Sequence, residues 1–96
     1  MRIRFKEWNC EVIMTKYMDN EGVAIRLVEC GSEDPIATAT VNLDGIPKGY
    51  VAIKDYSENE GMLDAFMNAG IVAKPEFTIH SGFVDIPVCK LLIEVK

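Results

Sequence analysis

Apolar and polar residues alternate along most of this chain. Ile3 and Phe5 alternate with Arg2, Arg4 and Lys6, which predicts a strand from Met1 to Trp8 with the cations outward. Asn9 is a turn candidate. Cys10, Val12 and Met14 then mark one face of a second strand reaching Tyr17, so the pair reads as an N-terminal hairpin. Asp19-Asn20-Glu21-Gly22 is a turn signal. Beyond it, Val23, Ile25 and Leu27 alternate with Ala24, Arg26 and Val28 in a strand from Val23 to Glu29. Gly31 to Pro35 breaks that strand, and the β-branched run Ile36 to Asn42 predicts another.

Leu43 to Gly49, with Asp44-Gly45 and Pro47, reads as a loop, and Tyr50 to Asp55 as a strand. Glu76 to His80 is a short strand, followed by a turn or bulge at Ser81-Gly82. Phe83 to Lys96 is extended but changes phase. Because proline cannot donate to a central ladder, a bulge or break is expected near Pro87 to Lys90.

One segment follows a different period. Met62, Leu63, Phe66, Met67 and Ala69 recur at three- and four-residue spacing and predict a helix over about 58–69. Ser57 and Glu60 have capping-box spacing, in which each side chain accepts from the other's amide. Gly70 suits a left-handed residue after the helix, with Ile71 folding back on Phe66. Gly61 costs about 1 kcal/mol relative to alanine in a helix, so a close backbone neighbour is expected there. Turn-length connections favour antiparallel pairing. The expected fold is α+β: a twisted, mainly antiparallel sheet of six to eight short strands, partly rolled, with the one helix packed on it.

The 96 residues predict a single domain, 1–96. Hydrophobic residues make up 49% of the chain, enough for a core of its own. Residues 2–6 are not followed by the apolar run of a signal peptide, and no apolar stretch reaches the ~18 residues of a membrane span. A cytoplasmic protein without membrane partners is expected. Fifteen acidic and 10 basic residues give a net charge of −5, which disfavours direct nucleic-acid binding. Arg2, Arg4 and Lys6 form a one-sided basic stripe, suited to guarding an edge strand. Cys10, Cys30 and Cys89 are widely spaced and read as reduced thiols, neither a zinc site nor a disulfide framework.

Phosphate-binding and dinucleotide-binding glycine patterns are absent, as is a nucleophile elbow. His80 is the sole histidine, which leaves a pairing with Cys89 as one arrangement to test. The densest chemistry is the carboxylate group around the helix start: Asp55, Glu58, Glu60 and Asp64, with Tyr56 beside them. Helix capping and dipole compensation explain such charges. A divalent cation would also accept these oxygens, and Tyr56 suits an interface anchor. Asp55, Tyr56, Glu58, Glu60 and Asp64 are therefore the candidate partner-binding residues, with no catalytic, cofactor or metal residue assigned.

Thr40-Val41-Asn42-Leu43, the run from Ile53 to Met62 with its KDYSENEG core, Ser81-Gly82-Phe83-Val84 and Pro87-Val88-Cys89 together resemble a family of small uncharacterised bacterial proteins. That family is encoded on plasmids, phages and integrated elements. The resemblance covers most of the chain and implies a mobile-element accessory context, but no activity and no functional residue. Three readings follow. The first is a non-enzymatic binding or modulator protein whose partner is a protein. The second is a small metal- or ligand-binding domain or enzyme using the acidic cluster. The third is a self-associating structural protein, a homodimer formed through an exposed edge strand.

Overall fold

The computed structural model describes residues 1–20 and 22–94. Its elements in order are β1 (Arg2–Phe5), β2 (Trp8–Lys16), β3 (Val23–Glu29), β4 (Pro35–Thr38), β5 (Tyr50–Ala52), a 3₁₀ turn (Ser57–Asn59), α1 (Met62–Asn68), β6 (Phe77–Ser81) and β7 (Val84–Lys90). The α+β class and the antiparallel pairing agree with the sequence pattern. The expected single sheet does not form: there are two, one ordered β1-β2-β3-β4 and the other β5-β7-β6.

The split arises at residues 39–41. The predicted strand from Ile36 to Asn42 ends as β4 at Thr38, and the chain then crosses between sheets. The Ala39 amide donates to Ile25 of β3, while the Ala39 carbonyl accepts from Lys54 and the Val41 amide donates to Ala52. Thr40 and Ile53 thus form an isolated antiparallel bridge that joins the sheets. Ala39 and Ile53 have no exposed surface, so their backbone groups need these partners.

The first hairpin turns at Lys6–Glu7, not at Asn9. Phe5 pairs with Trp8 and Ile3 with Cys10, and Lys6 takes a φ of 54° at the first loop position. This register puts Ile3, Phe5 and Cys10 into the core together. β3 has the bounds expected of it. At the far end of β2, Asn20 Oδ1 accepts from the Gly22 amide over 2.8 Å.

The helix is shorter than its apolar stripe suggested, covering Met62–Asn68, with the 3₁₀ turn standing apart from it. Ser57 has a φ of 54° and makes no capping hydrogen bond, so the capping box is absent. The break comes from Gly61, whose φ of 99° favours glycine. Open space surrounds the position a Cβ would take there. Backbone conformation therefore explains Gly61, and the expected close neighbour does not.

The helix ends as anticipated. Gly70 has a φ of 74°, Ile71 N donates to Phe66 O over 2.9 Å, and Gly70 N to Met67 O over 3.1 Å. These are the two bonds of a Schellman ending, with the apolar contact supplied by Ile71 and Phe66, both fully buried.

Pro87 lies inside β7, the central strand of its sheet, without the expected bulge or break. Its carbonyl accepts from Ile53 N over 2.9 Å, on the β5 side. In an antiparallel ladder the N–H and C=O of one residue face the same neighbour. The missing donor therefore faces Ile53, the residue just past the end of β5 at Ala52. Past Lys90, Leu91 bridges to Val72. The expected continuation of the extended segment over Val95 and Lys96 lies outside the described residues.

Two cores result. Met62 and Phe66 of α1 pack with Ile3, Phe5, Ile25, Leu27, Val51, Ile53, Ile71 and Cys89 between the first sheet and one face of the second. The opposite face of the second sheet presents Ala52, Ile86 and Val88, covered by Val41, Leu43, Ile46, Tyr56 and Ile79. Both faces of β7 are buried near its end, which explains why its alternation fails at Val88-Cys89. Among the described residues no helix is long and apolar enough to cross a membrane.

Candidate functional site

The five candidate residues lie together around the segment that leads from β5 into α1, but they do different jobs. Asp55 is the helix cap. Its Oδ1 accepts from the amides of Gly61 and Leu63, each over 3.0 Å. These are among the donors a helix start leaves without intrahelical partners, and a carboxylate suits the positive end of the dipole. Asp55 therefore does the work expected of Ser57, from six residues before Gly61.

Tyr56 is half-buried against the second core, and the Lys54 ammonium lies 5.7 Å from its ring centroid. Lys54 also reaches Glu58 Oε1 over 3.2 Å. The Glu58 backbone carbonyl accepts from Lys6 Nζ over 2.6 Å, which fastens the first hairpin turn to the 3₁₀ turn. Its own backbone amide and the Lys54 ammonium hold the exposed Glu58 carboxyl below its usual range. Glu60 and Asp64 are exposed, and their carboxylates have no hydrogen-bond or ion-pair partner among the described residues.

Asn59 was not a candidate, yet it holds this region in place. It is buried, and its Nδ2 donates to Thr38 O over 2.7 Å. The bond ties the acidic turn to the last residue of β4. Nothing local in the sequence separates this asparagine from its solvated neighbours, because its partner lies 21 residues earlier.

Among the described residues, no three or more histidine, cysteine, aspartate or glutamate side chains converge as a metal would require. Asp55 points its oxygen at backbone amides, and Glu58 at lysine. His80 and Cys89 also stay apart. His80 pairs with Asp85, Nδ1 to Oδ1 over 2.8 Å, on an exposed surface. Cys89 lies four residues farther along β7, roughly 13 Å at the usual strand rise. It is fully buried, and burial pushes its thiol up to about 11. Cys10 is buried as well and its thiol is raised for the same reason, whereas Cys30 is half-buried; all three are free thiols.

A second feature escaped the sequence reading. The loop between Val41 and Tyr50 folds back over the second sheet and leaves a cleft of about 560 Å³ against the end of β2. Tyr17, Ile46, Tyr50 and Leu91 line it, with Lys16 and Lys48 among its charged residues. Tyr17 Oη pairs with Thr40 Oγ1 over 2.8 Å, and Thr40 Oγ1 accepts from Ile25 N. At the rim, Asn20 Nδ2 donates to Asn42 Oδ1, and Asn42 Nδ2 to Asp19. The only sequence signal was the loop composition, Asp44-Gly45 and Pro47 to Gly49, in which both glycines take positive φ.

On the basic stripe, Arg2 Nε and the chain-start amine both reach Glu11, over 3.1 and 3.2 Å. Compared with known proteins, the chain matches no family model, no curated protein and no solved structure.

Proposed function

We propose that this chain is a non-enzymatic binding or modulator protein, acting by protein–protein contact through the acidic surface at the helix start. The observation that carries this reading is a division of labour. Asp55 and Tyr56 are occupied in capping and packing, and Glu58 is paired, but Glu60 and Asp64 stand exposed without partners. Met67, 37% exposed, follows Asp64 by three residues and so shares its helix face. Two unpaired carboxylates beside an exposed methionine suit a partner with a basic patch around an apolar centre. The setting proposed with it, a bacterial cytoplasm with for example a host protein as partner, is the one that the sequence resemblance implies.

The test is capture of partners from a bacterial lysate by the original chain and by a Glu60→Lys, Asp64→Lys variant with matched thermal unfolding. A partner held by the first and lost from the second, with binding that weakens as salt rises, is the expected result. Equal recovery by both would remove the acidic surface from the account.

A second reading, small-ligand binding, is favoured by the cleft, whose volume lies within the ~300–1,000 Å³ of ordinary ligand sites. Thermal-shift screening of small molecules tests it, because a ligand that binds only the folded chain raises the unfolding temperature. A parallel arm with Mg²⁺ or Mn²⁺ tests the acidic cluster as a metal site.

A further inference from the structure

Three of the four sheet edges are obstructed. β1 and the turn after it carry Arg2, Arg4 and Lys6. β4 begins with Pro35 and gives its Thr38 carbonyl to Asn59. The outer side of β5 is bonded to residues 39–41. β6 is different. It is the outermost strand of its sheet, and among the described residues no strand pairs with its outer side. Its sequence, Phe77-Thr78-Ile79-His80-Ser81, contains no proline, lysine or carboxylate, the usual protections of an edge.

The backbone groups it presents can be identified. Pro87 faces β5, and Thr78 stands directly opposite Pro87. Opposed residues in an antiparallel ladder either bond each other or both face away. Thr78 therefore turns its N–H and C=O outward, and so does His80 two residues later. Phe77, Ile79 and Ser81 face β7.

We propose that β6 is a self-pairing edge, and that two copies of this chain join antiparallel, β6 to β6, about a two-fold axis at Ile79. In that register Thr78 of each copy stands opposite His80 of the other. Their outward N–H and C=O groups are the ones that must meet, and each copy satisfies the other's. Ile79 faces its own symmetry mate. Phe77, 42% exposed, comes opposite Ser81 of the other copy, at the hairpin end where Phe83 stands fully exposed. No charge opposes a like charge along the strand. The occupant is a second copy because the pattern is its own complement: outward donors and acceptors lie symmetrically about Ile79, and exposed aromatics occupy the two ends that the axis brings together.

The test combines sedimentation equilibrium over a range of concentrations with amide hydrogen exchange of the unaltered protein at low and high concentration. A reversible dimer is expected, with the Thr78 and His80 amides exchanging more slowly as it forms. Thr78→Pro removes an outward donor and no internal bond. It should weaken the dimer by about tenfold, since the loss occurs twice across the axis. If this variant does not fold, the exchange measurement decides alone. A monomer at every concentration would overturn the proposal, as would a dimer in which those two amides exchange as in the monomer. Pairing of β6 with a strand of another protein, by a chain that does not self-pair, would overturn it too.

Discussion

Asn59 donates its side-chain amide to the Thr38 carbonyl, and this bond sets where the acidic turn sits relative to the first sheet. Lys6, which donates to the Glu58 carbonyl, adds a second hydrogen bond between this turn and the first hairpin. Asn59→Ala should therefore destabilise the protein by about 1–3 kcal/mol in urea unfolding. Asn59→Asp should cost more, because it aims a carboxylate at a carbonyl in a buried place. Glu60→Ala and Asp64→Ala, a few residues away, should stay within about 0.5 kcal/mol.

The two serviceable caps of this region can be told apart by mutation. Asp55 bonds two amides, and Ser57 bonds none with its side chain. Asp55→Ala should cost about 0.5–2 kcal/mol and Ser57→Ala close to nothing. The reverse order, measured by thermal unfolding, would mean that the helix starts at Ser57 after all.

Acid should loosen two surface pairs. Glu11, bonded by Arg2 and the chain-start amine, and Glu58, bonded by its own amide and Lys54, both titrate below their ordinary 4.5 when folded. Between 4.5 and those lower values the unfolded chain takes up protons and the folded one does not. Their contribution is thus complete above 4.5 and lost as pH falls through the folded values. Glu11→Gln and Glu58→Gln should each flatten the acid limb of the stability–pH curve, and added salt should shrink the difference.

Alkali should act through Cys89. Its folded thiol titrates at about 11 against an ordinary 9.0, because burial disfavours the thiolate. Stability is therefore full below 9 and declines as pH rises towards 11, where only the unfolded chain ionises readily. Cys89→Ala or Cys89→Val should lessen that decline, leaving the part that belongs to Cys10, whose thiol burial also raises. At neutral pH, iodoacetamide should label Cys30 first in the native protein and all three cysteines after denaturation.

The local rules that could be read from residue type alone served well. Gly70 and Ile71 announce the helix end because a Schellman motif is completed within six residues. β3 is legible because Ile25 and Leu27 flank the exposed Arg26 and both its ends are turns. Failures came where a distant partner decides the outcome. Ser57 has the spacing of a cap, but Asn59 is drawn to Thr38 and Gly61 breaks the helix, so Asp55 takes over. Thr40 and Val41 look like the continuation of β4, yet Thr40 bridges to Ile53 and the Val41 amide donates to Ala52 of β5. Pro87 reads as a break from residue type alone, yet its carbonyl is bonded by Ile53 N and the donor it lacks faces only that one residue past the end of β5. Of the candidate residues, the sequence placed all five in one region, but it could not separate the exposed Glu60 and Asp64 from Asp55 and Tyr56, whose roles depend on backbone amides and a core not visible in one dimension.

The order β5-β7-β6 has a consequence for how the chain is made. The strand at the centre of the second sheet is the last of its three to be synthesised, so neither β5 nor β6 has its ladder partner while the ribosome is still producing residues 53–83. The first sheet can close as soon as Thr38 emerges, with Ile25 and Leu27 still uncovered. Completion of the core thus waits for Val84–Lys90 to thread between two waiting strands. Truncation within that stretch should leave an apolar, half-built protein for chaperones or proteases to find.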